Sequence, residues 1–322
     1  MSALPQIARP ALVAPEVRLG DFFSLTKPRI TANVLLTTAA GIFLAPGHLG
    51  PARLVAALLG TALVVGGANT LNCYVEREID ARMLRTRGRA LAAGRIEPRD
   101  GLMLGLILAM LSIPLLSLAL NPLTGLLALI ALISYVAVYT PLKRVTPKAL
   151  LVGAVPGAIP PLLGWTAVTG SFELGGLLLF ALMFTWQIPH FLAITLYLKD
   201  DYARGGHRVM PLVRGEGAAR LHLLLWTLVL VPVSLSFTFF HLAGPIYAAV
   251  ALVLDGGFIF FAVRALRIRT GPSAVRSARA VFAYSLLYLI LLFPLLVADR
   301  RSPPSQPGAP AAITSASTPR AR

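Results

Sequence analysis

Residues 72–90 read NCYVEREIDARMLRTRGRA. Three carboxylates and five arginines stand together here, between the long apolar runs 51–75 and 101–120. Charge is costly inside a bilayer, so such a cluster marks the edge of a membrane segment, a polar site, or both. What surrounds it decides between them.

The surroundings are apolar. Of 322 residues, 57% are hydrophobic and only 13% are charged, and stretches near the roughly twenty residues that cross a bilayer recur along the chain. This is the composition of a polytopic, all-α integral membrane protein. Nine spans are expected, near 28–46, 51–75, 101–120, 123–140, 150–168, 174–198, 221–241, 244–263 and 279–298. They should form one nine-helix domain over 23–299, after a flexible N-terminal segment at 1–22 and before a Pro/Ser/Ala-rich disordered tail at 300–322. The first twenty residues lack the apolar stretch of a signal peptide. The single cysteine, Cys73, excludes an intramolecular disulfide and a multi-cysteine metal site, and reads as a small packing residue.

Lys and Arg fall unevenly among the connections. Loops after the second, fourth, sixth and eighth spans are rich in them, whereas the alternate connections hold only Arg53. The positive-inside rule therefore puts the N-terminus in the cytoplasm and the basic loops with it. The net charge of +16 is explained by these loops facing anionic lipid, and no nucleic-acid partner is expected.

Topology leaves the acids unexplained. Glu76, Glu78, Asp80, Asp200 and Asp201 cluster at the cytoplasmic ends of the second and sixth spans. At about 100° per residue, Asn72, Glu76 and Asp80 share one helical face and form a ladder of oxygen ligands. With Asp200 and Asp201 they make a set of hard donors suited to Mg²⁺, which is held by a few carboxylates together with substrate phosphates. Two even-numbered spans, each ending in acids and followed by a basic loop, suggest an internal repeat. Arg82, Arg85 and Arg89 follow on one face if the helix continues, and Lys143 and Arg144 in "YTPLKR" add a further basic group. Carboxylates for metal with guanidinium groups around them describe a diphosphate site, with the bilayer supplying a lipid-soluble chain. The bland alternative is a set of surface ion pairs of little worth.

These residues resemble the UbiA-type intramembrane prenyltransferases over about 22–298. "LTKPRITANVLLTTAAGIFLA" looks like the family's first helix. "NCYVEREIDARMLRTRGRALAAG" is similar to its first motif, N-x-x-x-D-x-D-x-D followed by R-T-x-x-R-P, and "YTPLKR" to its basic turn. "WQIPHFLAITLYLKDDYARGGHRVMPLV" resembles the haem-modifying branch. Glu76 and Glu78 stand where the family has Asp, Ala90 replaces its Pro, and "GHRVMPL" departs from its loop, which touches fine geometry and not reaction class.

The resemblance implies a nine-helix bundle with a central cavity opening to the cytoplasmic side of a bacterial inner membrane. Asn72, Glu76, Asp80, Asp200 and Asp201 would be its catalytic and metal-binding residues, with Mg²⁺ as cofactor. Arg82, Arg85, Arg89, Lys143, Arg144 and Lys199 would hold the diphosphate of farnesyl diphosphate. His190, Trp186, Tyr197 and Tyr74 would line the cavity for haem b and the prenyl chain. The reaction implied is farnesyl transfer to a haem vinyl group with water addition, giving haem o. A later haem-modifying enzyme or cytochrome oxidase assembly proteins are the implied partners. His190 would contact iron or a propionate; its alternative is a hydrogen bond to the carbonyl freed by Pro189. Asp255, an intramembrane acid outside the motifs, is a functional candidate by position alone. Rival readings are another prenyl acceptor, such as a quinone precursor or chlorophyllide, and a membrane transporter.

Overall fold

The structure, a computed structural model, describes residues 18–301. A short helix α1 (Leu19–Leu25) leads into α2 (Pro28–Leu44), α3 (Pro51–Asp80) and α4 (Pro98–Ala119). Next come α5 (Pro122–Ile133), a π-helical segment at Ser134–Tyr139 and a last turn α6 (Thr140–Leu142), which together make one continuous span. The chain continues through α7 (Ala149–Thr169), α8 (Leu174–Tyr197), α9 (Lys199–Arg204), α10 (Met210–Val213), α11 (Gly215–Phe239), α12 (Pro245–Arg267) and α13 (Gly271–Ala298).

Proline opens α2, α3, α4, α5 and α12. Its fixed φ suits the first helical position, where the missing N–H would have no intrahelical partner.

Among the described residues, eight helical spans are long and apolar enough to cross a membrane, and α2 is a ninth apolar helix of 17 residues. The expected count of nine is met only with this shorter member. The N-terminal boundary also moves. Residues 19–22, expected in the flexible segment, are helical, and Asp21 Oδ1 is 2.9 Å from Arg95 Nε. At the other end Arg300 donates to the Phe43 carbonyl and Arg301 N to Leu242 O, so the described part of the expected tail is bonded to the bundle. Residues 1–17 and 302–322 lie outside the described part.

Successive helices run antiparallel, which gathers the Asp80, Lys143, Tyr197 and Arg267 ends at one side, here termed the basic end. At the opposite end Arg53 donates to the carbonyls of Ala119 and Leu120 that close α4. The Asp299 carboxylate accepts Tyr247 N at 2.7 Å and caps α12. Small residues let the helices approach, as is usual without a hydrophobic driving force between them. A Cβ on Gly41 would collide with the Pro161 carbonyl, and one on Gly164 with that of Thr38, so α2 and α7 touch backbone to backbone.

Helix α3 positions the site. Its 30 residues rise about 45 Å, more than the roughly 30 Å hydrocarbon core, and carry Glu76 and Asp80 to the basic end. It stops at Asp80, however, and residues 81–90 form successive turns. The expected helical face of Arg82, Arg85 and Arg89 does not exist. Thr86 Oγ1 donates to Asp80 O at 3.0 Å and folds the loop back on the helix end. Helices α11 and α13 begin earlier than the expected 221 and 279, because Glu216 and Arg220 in one and Arg276 and Arg279 in the other hide their opening turns from a hydropathy reading.

Candidate active site

The ladder forms as its spacing requires. Asn72, Glu76 and Asp80 are buried along one wall of a cavity of about 680 Å³. Each meets a cation. Lys27 Nζ donates to Asn72 Oδ1 at 3.0 Å, Lys143 Nζ stands 2.6 Å from Glu76 Oε1, and Arg89 Nη1 donates to Asp80 Oδ2 at 2.6 Å. Asn72 Nδ2 donates to Glu76 Oε2 at 2.9 Å and to Thr140 Oγ1 at 3.1 Å, tying α3 to α6.

Thr140 Oγ1 in turn donates to Tyr135 O at 2.8 Å. That bond caps the C-terminal end of the π-helical segment, whose Tyr135 and Tyr139 both line the cavity. Single π turns inside α-helices are frequent at functional sites.

Lys27 holds a left-handed backbone, φ 50°, just before Pro28. Non-glycine residues occupy that region only where the surroundings impose it. Burial, aided by Arg89 and Lys143 nearby, pushes its ammonium down to about 8. Five Lys and Arg side chains line the cavity against two carboxylates, Glu76 and Asp80. The excess positive charge suits a multivalent anion.

The deep end is apolar. Met183, Trp186, Phe191 and Ile194 of α8 face Phe282, Leu286 and Leu289 of α13 across it. His190 stacks on Trp186 at 4.8 Å and lies 4.9 Å from Phe282. The expected alternative, a bond to a carbonyl freed by Pro189, is not formed. His190 Nδ1 is instead 2.7 Å from Ser285 Oγ, which donates its only hydrogen to Phe282 O at 2.6 Å. With the hydroxyl hydrogen on Phe282 O, Ser285 accepts from Nδ1–H and Nε2 is the unprotonated ring nitrogen. The Ser285 carbonyl also accepts Trp186 Nε1–H at 2.9 Å, so one residue of α13 holds both rings.

Of the residues expected from sequence, Asn72, Glu76, Asp80, Arg85, Arg89, Lys143, Trp186 and His190 converge on this cavity. The others do not. Asp201 accepts Leu84 N at 2.6 Å and Arg85 N at 3.3 Å, so it anchors the arginine loop from behind. Asp200, Lys199 and Tyr197 border other hollows at the basic end, and Lys199 is 2.6 Å from Glu216 Oε1. Arg82 and Arg144 flank a separate depression with Glu78. Tyr74 packs with the cluster around Cys73 and carries Arg77 over its ring at 4.9 Å. The expected repeat therefore fails at the site, since the acids after α8 do not mirror those of α3. Asp255 accepts from Tyr288 OH at 2.9 Å and pairs with Ser234 Oγ at 2.7 Å, joining α11, α12 and α13 away from the cavity.

Lys27, Tyr135, Tyr139 and Gln187 line the cavity without having been expected there, and His207, which the sequence placed only weakly near phosphate, joins them. The Tyr135/Tyr139 spacing of four was a visible signal for one face. Burial holds the His207 imidazole below its ordinary value, and its Nδ1 has no partner among the described residues.

The ladder fits a divalent cation. Glu76 Oε1 is buried and lacks a well-formed hydrogen bond despite the nearby Lys143 ammonium. Carboxylate and amide oxygens are the donors a hard cation takes. Among the described residues no three His, Cys, Asp or Glu side chains cluster as metal ligands. Two carboxylates and an amide would thus leave most of the coordination shell to substrate phosphates and water.

Residues 34–297 match the model of the UbiA prenyltransferase family. The chain belongs to the UbiA prenyltransferase family. It is accordingly a multi-pass integral membrane protein. Among its relatives, the "Protoheme IX farnesyltransferase" of Anaeromyxobacter sp. (strain Fw109-5) is 52% identical over 284 residues, 87% of this chain and 94% of the relative. The protein of the same name from Myxococcus xanthus (strain DK1622) is 48% identical over 280 residues, covering 87% and 94%. A solved UbiA homolog from Archaeoglobus fulgidus, bound to DMAPP and Mg²⁺, shares the fold at TM-score 0.64 and 18% identity, over 84% of this chain and 100% of that one. A digeranylgeranylglyceryl phosphate synthase matches at TM-score 0.72 and 14% identity, over 87% and 99%.

Proposed function

We propose that this UbiA family member transfers the farnesyl group of farnesyl diphosphate to a vinyl group of haem b, with addition of water, giving haem o and diphosphate. The carrying observation is that one cavity joins the acid and cation cluster of α3, Lys27, Arg89 and Lys143 to the aromatic wall of Trp186, His190 and Phe282. The relatives named protoheme IX farnesyltransferase support the choice of both substrates. We place the basic end in the cytoplasm, where the diphosphate head would enter.

Asn72, Glu76 and Asp80 would hold a divalent cation, taken to be Mg²⁺. When bound it neutralises charge gathering on the leaving diphosphate. Arg89, Lys143 and Lys27 supply donors to the same oxygens, and Arg85 lines the same cavity. Asp201 positions that arginine by fixing the backbone of its loop. The farnesyl C1–O bond breaks, its electron pair leaves with diphosphate, and the allylic cation takes the vinyl π pair to form a new C–C bond. The positive carbon left beside the porphyrin takes water, whose extra proton departs, giving a hydroxyl.

Trp186, Phe191 and Phe282 line an apolar chamber that keeps water from the first cation. His190 offers Nε2 to the haem iron, its Nδ1–H held by Ser285.

Farnesyl diphosphate binding to the purified protein tests the head-group half of this reading. Binding should need a divalent cation and fall at least about tenfold in Asp80→Asn. Binding indifferent to both metal and substitution would overturn it.

A further inference from the structure

A second cavity, of about 320 Å³, opens at the basic end between the end of α8, the start of α11 and the α12–α13 turn. Tyr197, Lys199, Asp200, Glu216, Arg220 and Arg269 border it. Arg220 is 3% exposed. Its Nη2 donates to Glu216 Oε2 at 2.7 Å, but its Nε–H is buried with no acceptor. A buried guanidinium donor without a partner is costly and points to an absent acceptor.

Glu216 accepts from Nη2 and not from Nε. Its other oxygen already takes Lys199 Nζ at 2.6 Å. Asp200 lies exposed at the rim. Arg269 uses Nε on the Leu266 carbonyl and has no ion pair among the described residues. Arg279 adds positive charge over the Tyr197 ring at 5.7 Å. The missing group is an anion, and a carboxylate matches guanidinium geometry.

Helix α8 borders both cavities, with Tyr197 at this one and His190 at the candidate active site. Tyr197 follows His190 by seven residues, about 20° short of two full turns and about 10.5 Å nearer the basic end. Both rings touch Phe282, at 5.7 and 4.9 Å. A flat molecule held at His190 could extend along this face to the second cavity.

We propose that the second cavity binds the propionate carboxylates of haem b, with Arg220 Nε and the Arg269 guanidinium as donors. The assignment rests on the haem reading above and deepens it. Propionates are the only ionised side groups of haem b and leave the edge opposite its vinyl groups. Anchoring them at the basic end directs the vinyl edge into the main cavity. Lys199 and Tyr197 then act in acceptor binding and not on diphosphate.

The test is an absorbance titration of the full-length protein, in detergent without anionic lipid, with haem b and with its dimethyl ester, whose propionates carry no charge. Wild-type protein should bind haem b at least about tenfold more tightly than the ester. Arg269→Ala, a change at an exposed position, should reduce that preference several-fold while leaving ester affinity unchanged. Arg220→Gln should reduce it further. Equal binding of acid and ester by the wild type, or an undiminished preference in both variants, overturns the propionate site. Farnesylation of haem b without any acid preference would sink this site and leave the reaction standing. Acid preference without farnesylation would do the reverse. Binding of neither form would overturn both.

Discussion

Lys143 Nζ lies 2.6 Å from Glu76 Oε1, an ammonium set against the middle acid of the α3 ladder. Both side chains are largely buried, at 18% and 7% exposure. On the proposed reading the lysine balances the carboxylate's charge before cation and diphosphate bind, and would then turn to the phosphate oxygens.

Removing the lysine should therefore make the fold metal-dependent. Lys143→Met leaves Glu76 buried without its counter-charge, a change that costs about 3–5 kcal/mol when one partner of a buried pair is lost. Thermal unfolding in chelator should show a lower midpoint than wild type, and added Mg²⁺ should raise the variant's midpoint more than the wild type's. Equal responses to metal would contradict this role.

Asp80→Asn keeps shape and loses charge. Turnover should fall by about two to three orders of magnitude, with helix content and membrane insertion unchanged, since the loss falls on a site ligand and not on packing. A rate within a few-fold of wild type would refute the assignment.

The two arginines that seemed equivalent in sequence should separate. Arg89 is bound to Asp80 in the cavity, whereas Arg82 is exposed beside a separate depression. Arg89→Ala should raise the KM for farnesyl diphosphate and lower kcat, and Arg82→Ala should leave both within about threefold. Steady-state kinetics on matched amounts of folded protein would decide it.

Asp201 acts through the loop. Its carboxylate accepts the Leu84 and Arg85 amides in part-buried bonds, and a hydrogen bond to a charged acceptor contributes about 1.5–3 kcal/mol. Asp201→Asn should mainly raise the KM for farnesyl diphosphate, about tenfold or more, with a smaller change in kcat and with Mg²⁺ affinity unaltered. A loss of metal affinity equal to that of Asp80→Asn would instead make Asp201 a ligand.

Ser285→Ala frees His190 Nδ1 from its acceptor and releases the tautomer. The absorbance spectrum of bound haem should shift and haem affinity fall, while farnesyl diphosphate binding stays constant. An unchanged spectrum would remove the positioning role.

The membrane class, eight long apolar helices and the α3 ladder were legible because each depends on local periodicity. Asn72, Glu76 and Asp80 share a face in any helix. The placement of Asp200 and Asp201 was not legible, because it depends on the turn at α8–α9, which brings Asp201 to the backbone of 84–85 and leaves Asp200 exposed. The arginine face failed because it assumed a helix past Asp80. Lys27 read as a topology marker, since nothing in the sequence shows the left-handed turn that sends its amine to Asn72. The π-helical segment was equally hidden: "SYVAVY" carries no proline or glycine to announce it.

The central claim is tested most directly by the product. Purified protein is incubated with haem b, farnesyl diphosphate and Mg²⁺ in heavy-oxygen water, and the extracted haem is analysed by mass spectrometry. The account predicts haem b gaining one farnesyl group and one hydroxyl whose oxygen comes from the labelled water. Recovery of unmodified haem b, under conditions where the same protein farnesylates a different acceptor, would contradict it.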